Sequence, residues 1–295
     1  MKEIERILKD YVLIEGDILV HKEKLGTDAC YETNFWTNGI IPYEFNPNVS
    51  QSNQNQAIAA MAIWEEAANL DFIPRNGHSN YVHIFSTHGG DSTNFSYVGM
   101  QGGRQLIGIF SWWHKFIIVH ELCHALGFYH EQSRVNRDNY VQINWDCIEE
   151  GKEPNFNKHS GAGHYGNYDF MSVMHYGGMA FYDPDKPNCT EPYSITVLPP
   201  NQAYQDSIGQ RSRLSYLDQT TMSFVYPEPN WMFVDLTNGG PQSGTFIEPF
   251  QTFLMGALVI PPEGILWIQP GPYTGVGTYS KQMTIRAPLG NVILH

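Results

Sequence analysis

The stretch IIVHELCHALGFYHEQ, residues 117 to 132, sets three histidines and two glutamates into a run that otherwise reads as a buried helix. On a helix His120 and His124 lie one turn apart on the same face. Two neutral imidazoles at that spacing reach a single tetrahedral zinc ion, and Glu121 projects beside them. His130 comes six residues after His124, roughly 9 Å further along a continuing helix and about 120° off its face. It joins the same metal only if the helix stops and the chain turns. Gly127 stands where that stop is needed, because glycine accepts the left-handed conformation that ends a helix. A bare HExxH carries moderate weight. The longer HExxHxxGxxHE fixes six positions, each with a mechanical reason, and reads as a zinc site.

A zinc ion that does chemistry keeps three protein ligands and one open position for water. Glu121, next to the first ligand, is placed to take a proton from that water and pass it to a leaving amine. Further on comes SVMHYG, residues 172 to 177. Met174 in a tight turn gives the histidines an apolar floor, and Tyr176 offers its phenol oxygen to the metal or to a developing oxyanion. Alone, SVMHY is any buried turn; beside the zinc helix it becomes specific. A structural zinc site is excluded, since such sites are closed four-ligand cages with no adjacent general base.

The 295 residues allow one or two domains with a full core. An apolar content of 42% with 14% aromatics indicates a folded chain. The net charge of −13, from 17 basic and 30 acidic residues, argues against a nucleic acid or an anionic membrane as partner. No run of 18 apolar residues occurs, so no membrane span is expected. The opening MKEIERILKDYV is too charged for a secretory signal, which leaves a cytoplasmic chain or one whose signal peptide is already gone. The cysteines, at 30, 123, 147 and 189, are too scattered for a disulfide framework. Cys123 points away from the histidine face as an inert thiol, and Cys147 and Cys189 could pair in an oxidising compartment.

Along the chain, residues 53 to 70 carry Ile58, Met61, Ala62, Trp64 and Ala68 at helical spacing and predict the first long helix. YVHIFST reads as a strand, and SYVGMQGGRQLIGIF as strand, turn and strand. The metal helix is expected over 113 to 126. Residues 135 to 225 are loop-rich, with a later helix in SYLDQTTMSFVY whose packed positions are Leu217, Met222 and Val225. YPEPNW, at 226 to 231, reads as a linker. Beyond it MFVDL, ILWIQP, MTIRAP and NVILH are short strand-like runs between Gly and Pro turns.

These features together resemble the astacin family of metzincin zinc endopeptidases, over about residues 10 to 227. HELCHALGFYHEQSR at 120 to 134, DNYV at 138 to 141, SVMHYG at 172 to 177 and IGQRSRLSYLD at 208 to 218 carry the resemblance, with GIIPYEF at 39 to 45 and FIPR at 72 to 75. It implies an α+β fold: a two-lobed catalytic domain, with a twisted sheet and helices in the first lobe and little regular structure in the second. It implies that His120, His124 and His130 bind Zn2+, that Glu121 is the general base and acid, and that Tyr176 is a mobile fifth ligand. Glu131 matches the acidic residue that meets the freed N-terminus. The family's two usual disulfides are missing as pairs, with Asn69 and Asn230, and Asn94 and Trp112, in their places. A disulfide-free version suggests a bacterial member.

IEGD, residues 14 to 17, resembles the FxGD element of the family's pro-segments, with Ile14 in place of phenylalanine. The resemblance implies that Asp17 occupies the zinc position of the catalytic water in a latent form, with Gly16 letting the chain approach closely. Cys30 is the rival switch. Residues 1 to 26 are then an inhibitory pro-segment, 27 to 227 the catalytic domain and 231 to 295 a β-rich segment. Lys22 and Lys24 offer sites for a trypsin-like activator ahead of Thr27. The last segment resembles the opening coils of a parallel β-helix, expected to dock on the catalytic domain or to be continued; a small antiparallel tail is the alternative. The expected protein is a secreted or periplasmic zinc endopeptidase acting on protein or peptide substrates, with its oligomeric state open. The alternative is an adhesion module with a non-essential peptidase site. His21, His78, His83, His88, His114, His159, His164 and His295 lack partner spacing and read as surface or core residues, and His175 is given no role.

Overall fold

A computed structural model describes residues 9–21, 34–87, 93–159, 165–275, 277–287 and 290–295. Cys30, Lys22, Lys24, Thr27, His88 and His164 lie outside them. The chain divides into two compact units, Met1–Gln219 and Thr220–His295.

In the first unit the strands are β1 (Tyr11–Ile14), β2 (Ile18–His21), β3 (Ile40–Phe45), β4 (Asp71–Pro74), β5 (Tyr81–Ser86), β6 (Phe95–Ser96) and β7 (Arg104–Ile109). They form one sheet in the order β1-β2-β6-β7-β5-β3-β4. Its centre is parallel, with β7, β5, β3 and β4 in turn. Parallel strands are covered on both faces and so read as near-continuous apolar runs, and YVHIFS is buried at every position. β6 runs antiparallel to β7. Against it the β1–β2 hairpin adds two strands, with β2 parallel to β6 and Ile18 opposite Ser96. Residues 11–21 are therefore a hairpin that extends the sheet.

Helix α1 covers Gln51–Ala67. Ser50 caps it, accepting from the Asn53 amide at 3.2 Å. It starts and stops two to three residues before the expected 53–70, because Ala68 is already extended and leads into β4. The expected face is also rotated. Ala57, Ala60, Met61 and Trp64 are buried, whereas Ile58 is 45% exposed. Small residues allow a close approach, and Trp64 Nε1 donates to the Val119 carbonyl of the next helix at 2.9 Å.

That helix, α2, covers Lys115–Ala125, two residues later than expected at its start. The delay has a local cause: the Trp112 and His114 amides bond back to Phe110 and Ser111, forming a tight turn. After α2 the unit is mostly turns and short 3-10 segments, with β8 (Val141–Ile143) antiparallel to β9 (Ile195–Val197). Cys147 and Cys189 form a disulfide. This is the pair that the sequence left open, and it is distinct from the family's two usual bridges, whose positions hold Asn69, Asn230, Asn94 and Trp112. Cys123 is buried as expected. Helix α3 spans Tyr216–Val225 and buries Met222 and Phe224, with Leu217 and Val225 only half-buried.

In the second unit β10 (Trp231–Val234), β11 (Gly264–Ile268) and β13 (Met283–Arg286) pair in parallel, as do β12 (Gly271–Tyr273) and β14 (Val292–Leu294). Helix α4, Phe253–Val259, is absent from the strand-like expectation; Thr252 caps it by accepting from the Met255 amide at 3.2 Å. Phe253 and Ala257 join Val234, Leu266, Ile268 and Tyr273 in the core of this unit.

Candidate active site

Helix α2 is buried from Ile118 to Ala125 and presents His120 and His124 on one face, their rings 4.7 Å apart. The helix then ends. Gly127 has φ +110, and a Cβ there would stand 2.9 Å from Phe35 Cε1. This left-handed residue turns the chain so that His130 returns to the same point, its ring 5.2 Å from His120 and 4.7 Å from His124. The three histidines thus converge as their spacing in the sequence requires.

The fourth group comes from the opposite end of the chain. The β1–β2 turn, Glu15-Gly16-Asp17, enters the site with Glu15 at φ +48 and Gly16 at φ +78. A Cβ on Gly16 would meet Phe181 Cζ at 2.8 Å, so glycine is required both for conformation and for space. Asp17 Oδ2 lies 3.1 Å from His120 Nε2 and 3.3 Å from His130 Nε2, and Oδ1 lies 3.6 Å from His124 Nε2. The ligand atoms of these four residues all fall within 4.8 Å of one another.

This donor set fits zinc. Three imidazole nitrogens and a carboxylate oxygen suit a tetrahedral ion, whose ligands at about 2.0–2.1 Å are about 3.3 Å apart; His120 Nε2 and His130 Nε2 are 3.3 Å apart. Among the described residues His124 Nε2 and Asp17 Oδ1 are buried without a hydrogen-bond partner, an arrangement that a cation between them would satisfy. Burial raises the Asp17 carboxyl, but the charge of His130 and the close approach of the three imidazoles outweigh it and hold the group well below its usual range. Asp17 is therefore a carboxylate, the form that binds metal.

The outer nitrogens differ in what holds them. His120 Nδ1 meets the Val173 carbonyl at 2.8 Å and His124 Nδ1 meets that of Phe128 at 2.7 Å. His130 Nδ1 meets the Glu15 carboxylate at 2.6 Å. Glu15, only 2% exposed, also contacts His159 through its other oxygen. Neither Glu15 nor His159 is marked as a site residue by any motif in the sequence.

Glu121 is 1% exposed, and its Oε2 lacks a hydrogen-bond partner among the described residues. Burial pushes its carboxyl well above the usual range, with the charge of Asp17 adding to the effect. Met174 is buried, its carbonyl accepting from the Glu131 amide at 3.1 Å. Tyr176 packs on the His130 ring at 4.5 Å, and its hydroxyl donates to the Glu15 carbonyl. Burial keeps this phenol well above its ordinary pKa, so it remains a donor. His175, given no role from sequence, is fully buried between the Tyr168 hydroxyl at 2.8 Å and the Tyr176 carbonyl at 2.6 Å, and so fixes the turn. Glu131 is held by Arg134 at 2.7 Å and by the Asp169 amide at 2.8 Å. A cavity of about 280 Å³ is lined by Asp17, Glu121, Tyr176, Phe181 and Arg211. Arg211, which spacing alone does not bring here, donates to the His175 carbonyl at 3.0 Å.

The model of the astacin peptidase family matches residues 28–227. The chain belongs to the astacin family. It is accordingly a zinc-dependent metalloendopeptidase with an α+β metzincin fold. High choriolytic enzyme 2 of Oryzias latipes is 34% identical over 74% of this chain and 76% of its own length. Zinc metalloproteinase nas-13 of Caenorhabditis elegans is 35% identical over 66% of this chain, which covers 42% of that protein. The structure of high choriolytic enzyme 1, a hatching enzyme zinc-protease from Oryzias latipes, superposes with a TM-score of 0.57 at 33% identity, covering 67% of this chain and 94% of that one. No helix among the described residues is long and apolar enough to cross a membrane.

Proposed function

We propose that this astacin-family chain is the latent form of a secreted endopeptidase, kept inactive by the turn that carries Asp17. The observation that supports this reading is the placement of the Asp17 carboxylate against all three histidine Nε2 atoms. A group in that position excludes the water that hydrolysis needs. The same turn engages Tyr176, whose hydroxyl bonds to the Glu15 carbonyl. The inhibitory contact therefore covers the metal position and the oxyanion donor together.

Once the segment is removed, His120, His124 and His130 would hold zinc, which supplies Lewis acidity toward a peptide carbonyl and a water made acidic near neutral pH. Glu121 takes the proton of the attacking water and delivers it to the leaving amine. Tyr176 gives its hydroxyl hydrogen bond to the carbonyl oxygen as charge develops. His175 and the Met174 turn keep that phenol in place. Cleavage ahead of Thr27, after Lys22 or Lys24, is the proposed activation. The test is zinc content together with cleavage of casein by the chain before and after trimming to Thr27, with Glu121→Ala as control. Activity that is independent of both trimming and Glu121 would contradict the proposal.

A further inference from the structure

The outer nitrogens of the three metal histidines are not held alike. A histidine that gives Nε2 to a metal carries its remaining proton on Nδ1, and the acceptor of that proton sets ring orientation and donor strength. For His120 and His124 the acceptors are the carbonyls of Val173 and Phe128, within the catalytic unit. For His130 the acceptor is the Glu15 carboxylate, carried by the same turn as Asp17. The other carboxylate oxygen of Glu15 reaches His159 Nε2, so the buried carboxylate lies between two imidazoles. Glu15 also takes a left-handed backbone at φ +48, which a residue with a side chain adopts only when its surroundings hold it there.

We propose that Glu15 is a second anchor of the latch: a positioning residue that binds the outer nitrogen of His130 and the ring of His159 while Asp17 occupies the metal position. The inference rests on the reading of residues 11–21 as an inhibitory segment and extends it to the partner that the segment recognises. A carboxylate on the outer nitrogen makes His130 a stronger donor than a carbonyl would. The latent form then holds zinc more tightly than Asp17 alone would allow. Departure of the turn removes a ligand and the support of a second ligand in one step. His159 gives the catalytic unit a matching site for an acidic residue two positions before the latch aspartate.

The experiment uses the full uncleaved chain loaded with zinc, and follows the rate of zinc transfer to a chromophoric chelator. A parallel series loaded with cobalt(II) reports the metal's ligand field. The variants are Glu15→Gly, which removes the carboxylate and suits the left-handed backbone, Glu15→Gln, His159→Ala and Asp17→Ala. Glu15→Gly is expected to release zinc about tenfold faster and to shift the cobalt visible bands, in line with loss of an outer-shell partner. Glu15→Gln, which keeps one acceptor, and His159→Ala should fall between it and wild type. A wild-type release rate and spectrum in Glu15→Gly overturn the inference. If Asp17→Ala still accelerates release in that case, the latch reading survives without the second anchor; if it does not, both readings fall.

Discussion

Asp17 Oδ2 lies 3.3 Å from His130 Nε2, the same separation as between His130 Nε2 and His120 Nε2. The carboxylate of an N-terminal turn thus stands among the histidines as one of the ligand set. It stays ionised there because the imidazoles outweigh its burial. A latch of this kind needs no large interface, since one ligand at the metal position and one at Tyr176 cover the groups that would do the chemistry.

Glu121 should be the residue whose loss costs most while leaving the metal in place. In the trimmed enzyme Glu121→Gln is expected to lower peptide hydrolysis by about 10²–10⁴, the usual scale for a general base. Zinc content should remain that of the wild type, because Glu121 is not within the ligand cluster. Metal analysis beside a peptide assay checks this; loss of zinc in step with activity would give Glu121 a ligand's role instead.

Tyr176→Phe removes only the hydroxyl that donates to the Glu15 carbonyl in the uncleaved chain. After trimming, kcat should fall by roughly 10²–10³, as for the loss of one oxyanion donor, with little change in KM. Steady-state kinetics on one fluorogenic peptide suffice. An unchanged kcat takes Tyr176 out of the mechanism.

Gly127 is the hinge that returns His130 to α2. At φ +110, with Phe35 Cε1 2.9 Å from a built Cβ, alanine is strained in backbone and in space. Gly127→Ala should cost about 1–3 kcal/mol and weaken zinc binding, because His130 moves with the turn. Calorimetric unfolding with and without chelator separates the two effects: the gap between metal-loaded and metal-free Tm should narrow in the variant.

The Cys147–Cys189 bridge spans a sequence separation of 42 and encloses the Met174–Tyr176 turn. Closing a loop of that length contributes about 4 kcal/mol on the chain-entropy estimate. A Cys147→Ala/Cys189→Ala variant should unfold at clearly lower denaturant concentration. An unaltered midpoint would show that the bridge does not constrain the unfolded chain.

The parts of this site that sequence reveals are those fixed by local geometry. His120 and His124 follow from the helical repeat, and the need for Gly127 follows from where His130 must go. Met174 and Tyr176 become visible through a motif of a few residues. What stays hidden depends on distant partners. His159 and Glu15 are separated by 144 positions, and no periodicity in either neighbourhood points to the other. Arg211 likewise reaches the cavity only through tertiary folding. The first helix shows a different limit: its apolar stripe suggests Ile58 faces inward, but tight packing through Ala57 and Ala60 turns that side chain out. The pairing of Cys147 with Cys189 is open from the sequence as one possibility, and proximity in the fold decides it.

On the proposed reading, Asp17 is the group that stands between a formed metal site and activity. The most direct measurement compares casein cleavage by three zinc-loaded proteins: the uncleaved wild type, the uncleaved Asp17→Ala variant and the wild type trimmed to Thr27. The uncleaved wild type should be silent, and Asp17→Ala should cleave without trimming, as the trimmed enzyme does. An Asp17→Ala chain that binds zinc and remains as silent as the wild type, or an uncleaved wild type as active as the trimmed enzyme, would contradict the account.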